Sequence, residues 1–327
     1  MLKTAVIGPG RWGTTNAWIL SDISEKVFIF GEKDDKDLIS LKEKRENDYI
    51  KLKDNIKLSS DINEVLNYAS DFVCVVINGQ NTRELFEKYK NEFLNYKGDI
   101  VLMMKSLEKE TGMRLSKIYE EVTGRSDNLA VLVGPAHPQD LVNGLPTAMV
   151  VSGTNQEVIN RIEMKFNHPL YRLYWNEDLI GVELGAALKN TIGIMAGILS
   201  GLNMEPCYGI LITRGPIEVS KIVKAYGGEF HTPFGLSHLG DYAATVFSHY
   251  SFNFQYGKTF AMGEDWDKSK VAEGSETILA VKELTGDFKK IDTPIHKALY
   301  NILYNGGDAK KELAVLFEKS KRHEFWD

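Results

Sequence analysis

Cysteine is nearly absent from this chain: Cys74 and Cys207 are the only two in 327 residues. They stand far apart with neither C-x-x-C nor Cys/His spacing, so both are expected to be reduced and structural, with no disulfide framework and no thiol redox centre. Histidine is sparse as well, and the seven present do not cluster, so no metal site is predicted. No dense Lys/Arg block occurs and the formal net charge is −6. That balance argues against nucleic acid or an anionic membrane as partner and leaves a small-molecule substrate. The chain opens Met1-Leu2-Lys3 and runs straight into an apolar strand, without a charged leader and signal-type apolar region, so a cytoplasmic location is expected. Long hydrophobic runs are missing too. The most apolar stretch, residues 191–202, is about a dozen residues broken by three glycines and a serine, which reads as a core helix rather than an integral membrane segment. There is no internal repeat and no low-complexity tract. Nothing in the sequence decides oligomeric state, and a homodimer is an open alternative.

What is present suits two folded domains, since 43% of the residues are hydrophobic and the length exceeds one comfortable core. Thr4-Ala5-Val6-Ile7 meets Gly8-Pro9-Gly10-Arg11-Trp12-Gly13, after which residues 14–20 read as a helix. This is G-x-G-x-x-G between a strand and a helix. The first glycine permits the turn, the second lets the backbone approach a pyrophosphate, and the third lets helix and strand pack, while the helix N-terminus faces the phosphates. A second apolar strand, residues 27–30, leads to Gly31-Glu32-Lys33. Glu32 is placed to accept from adenosine ribose hydroxyls and would repel a 2′-phosphate, whereas Lys33 pulls the other way, so NAD(H) is favoured and NADP(H) stays open.

From there the pattern alternates as in a parallel sheet covered by helices, with strands at 71–77, 100–104, 129–133, 147–151 and 171–174 and helices at 82–94 and 156–166. Loops at the carboxyl ends of such strands, Asn78-Gly79-Gln80, Lys105-Ser106 and Gly134 to His137, are expected to face the cofactor. After Leu179 the strands stop and glycine-punctuated helices follow, over 208–226 with Pro216 expected to kink it, 241–247 with Asp241 as a candidate cap, 276–284, 293–304 and 310–319. The expected organisation is therefore an α/β Rossmann-type domain over 1–179 followed by an all-α domain over 180–327. In the stretch 181–202, Leu184, Leu188, Ile192, Met195 and Leu199 recur at helical spacing and nearly every face is small or apolar. Lys189 falls within it. A lysine there either finds partners and a tunable proton, as acid–base chemistry requires, or packs its stem and reaches water; both readings stay open.

Several of these motifs occur together and in order in a known family: Gly8-Pro9-Gly10-Arg11-Trp12-Gly13-Thr14, Gln80 with Arg83, Lys105-Ser106-Leu107-Glu108, Gly134-Pro135-Ala136-His137, Gly181 to Asn190 (GVELGAALKN), Leu211 to Gly215, Gly235 to Asp241, Val271-Ala272-Glu273-Gly274 and the run from Pro294. The chain resembles the soluble NAD(P)-dependent glycerol-3-phosphate dehydrogenases over nearly its whole length. The resemblance implies reversible reduction of dihydroxyacetone phosphate to sn-glycerol 3-phosphate, feeding glycerophospholipid synthesis, with catalysis between the two domains. It implies Lys189 as proton donor and acceptor, Lys105 and Asp241 in contact with substrate, Gly134 and Ala136 in the substrate loop, and Asn190, Ser251 and Asn253 around it. Gly8, Gly10, Arg11, Trp12, Gly13, Glu32, Lys105 and Glu273 would hold the cofactor. Asn78-Gly79 replaces the family's Pro-Ser before Gln80, and two further departures bear on the substrate. Phe252 stands where an arginine reaches the substrate phosphate and the cofactor, and Ala136 lacks a hydroxyl. Those departures keep open a paralogous dehydrogenase for another small hydroxy compound, and a catalytically silent dinucleotide sensor is a third reading.

Overall fold

The computed structural model describes residues 1–246, 251–267 and 270–318, and the chain divides into two compact units. One comprises Met1–Met104 and Leu115–Leu179, the other Lys105–Arg114 and Ile180–Asp327. Where sequence patterning suggests two consecutive domains, the contacts assign Lys105–Arg114 to the later unit. Two expected helices extend to Phe247 and Lys319, which lie outside the described residues.

In the first unit, eight strands form one sheet: β1 (Leu2–Ile7), β2 (Ser24–Phe30), β3 (Ile56–Ser59), β4 (Phe72–Val75), β5 (Asp99–Leu102), β6 (Leu129–Val133), β7 (Thr147–Gly153) and β8 (Tyr171–Trp175). Their order is β3-β2-β1-β4-β5-β6-β7-β8. Val6, Ile29, Cys74, Val101, Leu132 and Val151, one from each of six strands, share a buried core with residues of the flanking helices. Strands covered on both faces carry unbroken apolar runs, which is why these strands are legible in the sequence. The half-polar, four-residue β3 was not, nor were the helices Lys36–Lys44, Ile62–Tyr68 and Leu115–Thr123. The helix expected over 82–94 is two, Thr82–Lys88 and Lys90–Asn95, separated by Tyr89 at φ −113° and ψ 30°. The sheet is mixed rather than parallel throughout: β7 pairs antiparallel with β6 and parallel with β8. The β6–β7 connection holds only the five-residue helix Pro138–Val142, too little for a βαβ crossover, whereas the ten-residue Gln156–Lys165 returns the chain between β7 and β8. Strand order reverses between β1 and β4, which creates a crevice at their carboxyl ends.

The second unit is helical and centred on Leu179–Gly201, 23 residues long, of which Gly181 through Leu199 are all buried. That helix matches the helical stretch read over 181–202 and, taken whole, is long and apolar enough to span a bilayer, so length alone does not exclude a span. Its most apolar window is 89% buried, as befits a core helix. Leu184, Leu188, Ile192, Met195 and Leu199 join one core with Leu211, Val219, Tyr242, Phe254, Ile278 and Leu299 from neighbouring segments. Helix contact is closest at two glycines: a Cβ on Gly197 would lie 2.0 Å from the Phe254 carbonyl oxygen, and one on Gly257 would lie 2.0 Å from that of Ile194. Tyr208–Ala225 remains helical through Pro216, and the chain turns at Gly227, φ +87°. The segment 105–114 folds back on itself through a Leu107–Arg114 bridge and places Leu107 in this core. Arg114 also pairs with Glu183 on the central helix at 2.6 Å.

Candidate active site

The turn after β1 is built by two of its three glycines. Gly8 takes φ +119°, and a Cβ there would sit 2.0 Å from the Val76 carbonyl oxygen; a Cβ on Gly13 would sit 1.9 Å from that of Gly8. Gly10 is different, since its φ of −64° suits any residue and a Cβ there would meet nothing nearer than Asp37 Oδ2, at 3.8 Å. Packing demands Gly8 and Gly13, whereas the open space beside Gly10 is what a close ligand requires. The helix Arg11–Leu20 starts at that point with no acidic residue in its first turn and no side-chain cap from Gly10, so its amino end is open to an anion. Thr14 fixes the turn by donating from Oγ1 to the Pro9 carbonyl at 2.8 Å. Trp12 packs against the sheet core, and Arg11 lies 5.5 Å from the Tyr49 ring and donates to its hydroxyl at 3.1 Å. A dinucleotide pyrophosphate fits these features.

Immediately beyond β2, Glu32 Oε1 accepts from the Tyr89 hydroxyl at 2.9 Å and pairs with Lys88 Nζ at 2.8 Å. The Tyr89 ring stands edge-on to Phe30 at 5.7 Å. Lys33, which the sequence sets against Glu32, is exposed and makes no ion pair among the described residues. The partners of Glu32, like Tyr49 and Asp37, were missed from sequence because they come from other elements. Only an aromatic and a cation at the break in helix 82–94 could have signalled them.

The second unit gathers the charged residues singled out by the sequence. Lys189 Nζ donates to Asp241 Oδ1 at 3.0 Å, and Lys105 Nζ donates to the other oxygen, Oδ2. One carboxylate thus bridges two ammonium groups, with side-chain exposures of 9% for Lys189, 17% for Lys105 and 1% for Asp241. Burying each ion costs several kcal/mol before pairing, which the contact of one carboxylate with two ammonium groups offsets. Burial would raise the Asp241 carboxyl; the adjacent Lys105 and Lys189 outweigh it and hold it below the usual range. Lys105 is pushed down chiefly by burial, with Asp241 opposing and Lys189 adding to the depression. Like-charge repulsion between the two lysines is therefore present but secondary to burial. Asp241 itself lies in helical conformation where the turn Leu236–Gly240 passes into Asp241–Val246, and its carboxylate serves the lysines.

A chain of amides backs this cluster. Asn190 Nδ2 donates to the Lys105 carbonyl at 3.1 Å and to Glu273 Oε2 at 3.3 Å, Asn253 Nδ2 donates to Asn190 Oδ1 at 3.1 Å, and Gly274 N donates to Asn253 Oδ1 at 2.9 Å. Glu273 is raised by burial against the pull of Lys189 and Lys105. Ser251 caps the helix Phe252–Met262, its Oγ accepting from Phe254 N at 3.3 Å. Beside it, Lys270 Nζ lies 5.9 Å from the centre of the Phe252 ring. Lys105, Lys189, Asn190, Asp241, Asn253 and Glu273 therefore form one network, while Gly134, at φ +151°, and Ala136 follow β6 in the first unit. A further buried group, His238, was not anticipated: its Nδ1 bonds the Gly185 carbonyl at 2.9 Å and burial lowers its pKa to about 4.

Comparison with known proteins bears on both units. Residues 3–159 match the family model described as NAD-dependent glycerol-3-phosphate dehydrogenase N-terminus, and residues 178–314 match its C-terminus. The glycerol-3-phosphate dehydrogenase [NAD(P)+] of Syntrophomonas wolfei is 36% identical, the alignment covering 99% of this chain and 97% of that one. Its counterpart in a Thermotoga species is 33% identical, with 99% of each chain covered. Among solved structures, glycerol-3-phosphate dehydrogenase from Coxiella burnetii superposes with a TM-score of 0.87 at 25% identity, covering 97% of this chain and 98% of that one. Matched over 3–159 and 178–314 by the two family models and over nearly its whole length by relatives at 36% and 33% identity, this chain belongs to the NAD-dependent glycerol-3-phosphate dehydrogenase family.

Proposed function

We propose that the protein interconverts dihydroxyacetone phosphate and sn-glycerol 3-phosphate with NAD(H) or NADP(H), the product serving glycerophospholipid synthesis. The observation that carries this reading is the buried carboxylate of Asp241 bridging Lys105 and Lys189. A bound reduced nicotinamide supplies the hydride. As hydride reaches a carbonyl carbon, negative charge develops on oxygen, and an ammonium held in a dry pocket stabilises that charge and then gives up its proton. Lys189 is assigned that proton and Lys105 the second positive charge. Asp241 orients both, and its lowered pKa keeps it ionised so that neither ammonium is left uncompensated. Asn190 connects the Lys105 backbone to Glu273 and thereby fixes the loop that carries Lys105. Gly8, Gly10, Arg11, Trp12, Gly13 and Glu32 are assigned to the dinucleotide. Oxidation of NADH by the purified protein should be fast with dihydroxyacetone phosphate and slow with unphosphorylated dihydroxyacetone; the reverse order would overturn the substrate assignment.

Phe252 supports the second reading, a relative acting on another small hydroxy compound, because a phenyl ring offers no charge to a phosphate. Lys270 Nζ lies 5.9 Å from the centre of that ring, so a cation stands beside Phe252 and supports the first reading. On the first reading, Phe252→Arg adds a charge-assisted contact of about 1.5–3 kcal/mol and lowers KM for dihydroxyacetone phosphate by roughly tenfold. On the second it reduces activity on the true substrate without creating much on the phosphate ester. Steady-state kinetics on both compounds distinguishes them.

A further inference from the structure

Glu32 alone would discriminate against a 2′-phosphorylated dinucleotide, but it does not stand alone. Its Oε1 takes both the Lys88 ammonium at 2.8 Å and the Tyr89 hydroxyl at 2.9 Å, so neither contact uses Oε2. Tyr89 is held edge-on against Phe30, the last residue of β2, and Lys88 Nζ lies 5.2 Å from the Tyr89 ring. The break between helices Thr82–Lys88 and Lys90–Asn95 thus delivers a cation and a hydroxyl to the Glu32 carboxylate just past β2. Both charged side chains remain accessible, 50% for Lys88 and 41% for Glu32.

Resting on the dinucleotide reading of this unit, we infer that Lys88 is the residue that admits an adenosine 2′-phosphate, making the protein competent with both NADH and NADPH despite Glu32. With a plain ribose, the hydroxyls donate to the Glu32 carboxylate while Lys88 keeps its ion pair. A 2′-phosphate dianion arriving at the same place meets a carboxylate already paired with a cation, and the three N–H donors of the Lys88 ammonium let it keep Oε1 while reaching the phosphate oxygens, so that one charge bridges both anions. The Tyr89 hydroxyl stays on Oε1 and holds Glu32 in place. Lys33, adjacent in sequence, has no comparable tie to Glu32 and is assigned no part in this.

The test is binding rather than turnover. Dissociation constants for NADH and NADPH are measured on the full-length protein by quenching of tryptophan fluorescence, for the wild type, Lys88→Met, Lys88→Arg and Lys33→Met. Lys88→Met should weaken NADPH by about tenfold and leave NADH within about twofold, as loss of one charge-assisted contact requires. Lys88→Arg should keep NADPH binding, and Lys33→Met should resemble the wild type. Equal weakening of both dinucleotides by Lys88→Met, no change in either, or transfer of the NADPH loss to Lys33→Met would each overturn the assignment. A wild-type protein that binds neither dinucleotide would overturn the cofactor reading beneath it, and that failure is visible before any variant is compared.

Discussion

At the scale of single residues, two lysines compete for one role. The Lys105 pKa is depressed and Lys189 is the more buried of the pair, yet both rest on Asp241. Removing the proton donor costs turnover without costing cofactor affinity, so Lys189→Met should cut kcat by at least about 10²-fold and leave the NADH dissociation constant near the wild-type value. A variant keeping more than about a tenth of the wild-type kcat would remove Lys189 from the chemistry. His238 offers a separate test through pH. Its native pKa of about 4 lies below the ordinary 6.5, so the unfolded chain takes up the proton first. Stability from this group is complete above pH 6.5 and is lost as pH falls toward 4, amounting in full to about 3 kcal/mol, most of it gone by pH 5. Urea unfolding at about pH 7 and about pH 5 should show that loss, and His238→Gln should flatten it. An unchanged slope in the variant would place the acid sensitivity elsewhere. Lys189 and Asp241 could be picked out from the sequence because a motif frames each. The buried setting of His238 could not, since its desolvation comes from residues distant in the chain.

At the scale of elements, the central helix Leu179–Gly201 carries Lys189 and Asn190 and meets Phe252–Met262, which carries Asn253. Their separation is set where Gly197 approaches the Phe254 carbonyl and Gly257 approaches that of Ile194. Helices this close tolerate no added methyl against backbone, which cannot rotate away as a side chain can. Gly197→Ala should therefore destabilise the protein by about 1–3 kcal/mol and also lower kcat, because parting the helices separates Asn253 from Asn190. If unfolding shifts by less than about 0.5 kcal/mol, the contact is softer than the geometry states. The helix was legible from its 3.6-residue period, over 181–202 against the observed Leu179–Gly201, but the partners of its charged residues were not. Residues 179–190 mix Glu183 and Lys189 into the apolar pattern, and only partners such as Arg114 and Asp241 make those charges compatible with burial.

At the scale of the whole molecule, ligand binding should report the fold of the dinucleotide cradle. Gly10→Val has room in the ligand-free protein, where the nearest atom to a Cβ is 3.8 Å away, so the fold should survive while the pyrophosphate is excluded. NADH at about 100 times its dissociation constant should stabilise the wild type by about 2.7 kcal/mol and raise Tm, and it should leave the Gly10→Val protein unmoved. Equal Tm shifts would show that the dinucleotide does not approach the chain at Gly10. Local patterning alone determined much of this protein: the glycine turn between strand and helix, the apolar strands buried on both faces, and the change from strands to helices after Leu179. These are written in neighbouring residues, through period, turn chemistry and the steric freedom of glycine. Only the tertiary structure decided that β7 runs antiparallel to β6, that Lys105–Arg114 packs with the helical unit, and that Lys88 and Tyr89 meet Glu32. Each of those depends on which distant segments come within a few ångströms of one another. Such distances follow from connection lengths and from the pairing of buried charge, and a residue's immediate neighbours do not encode them.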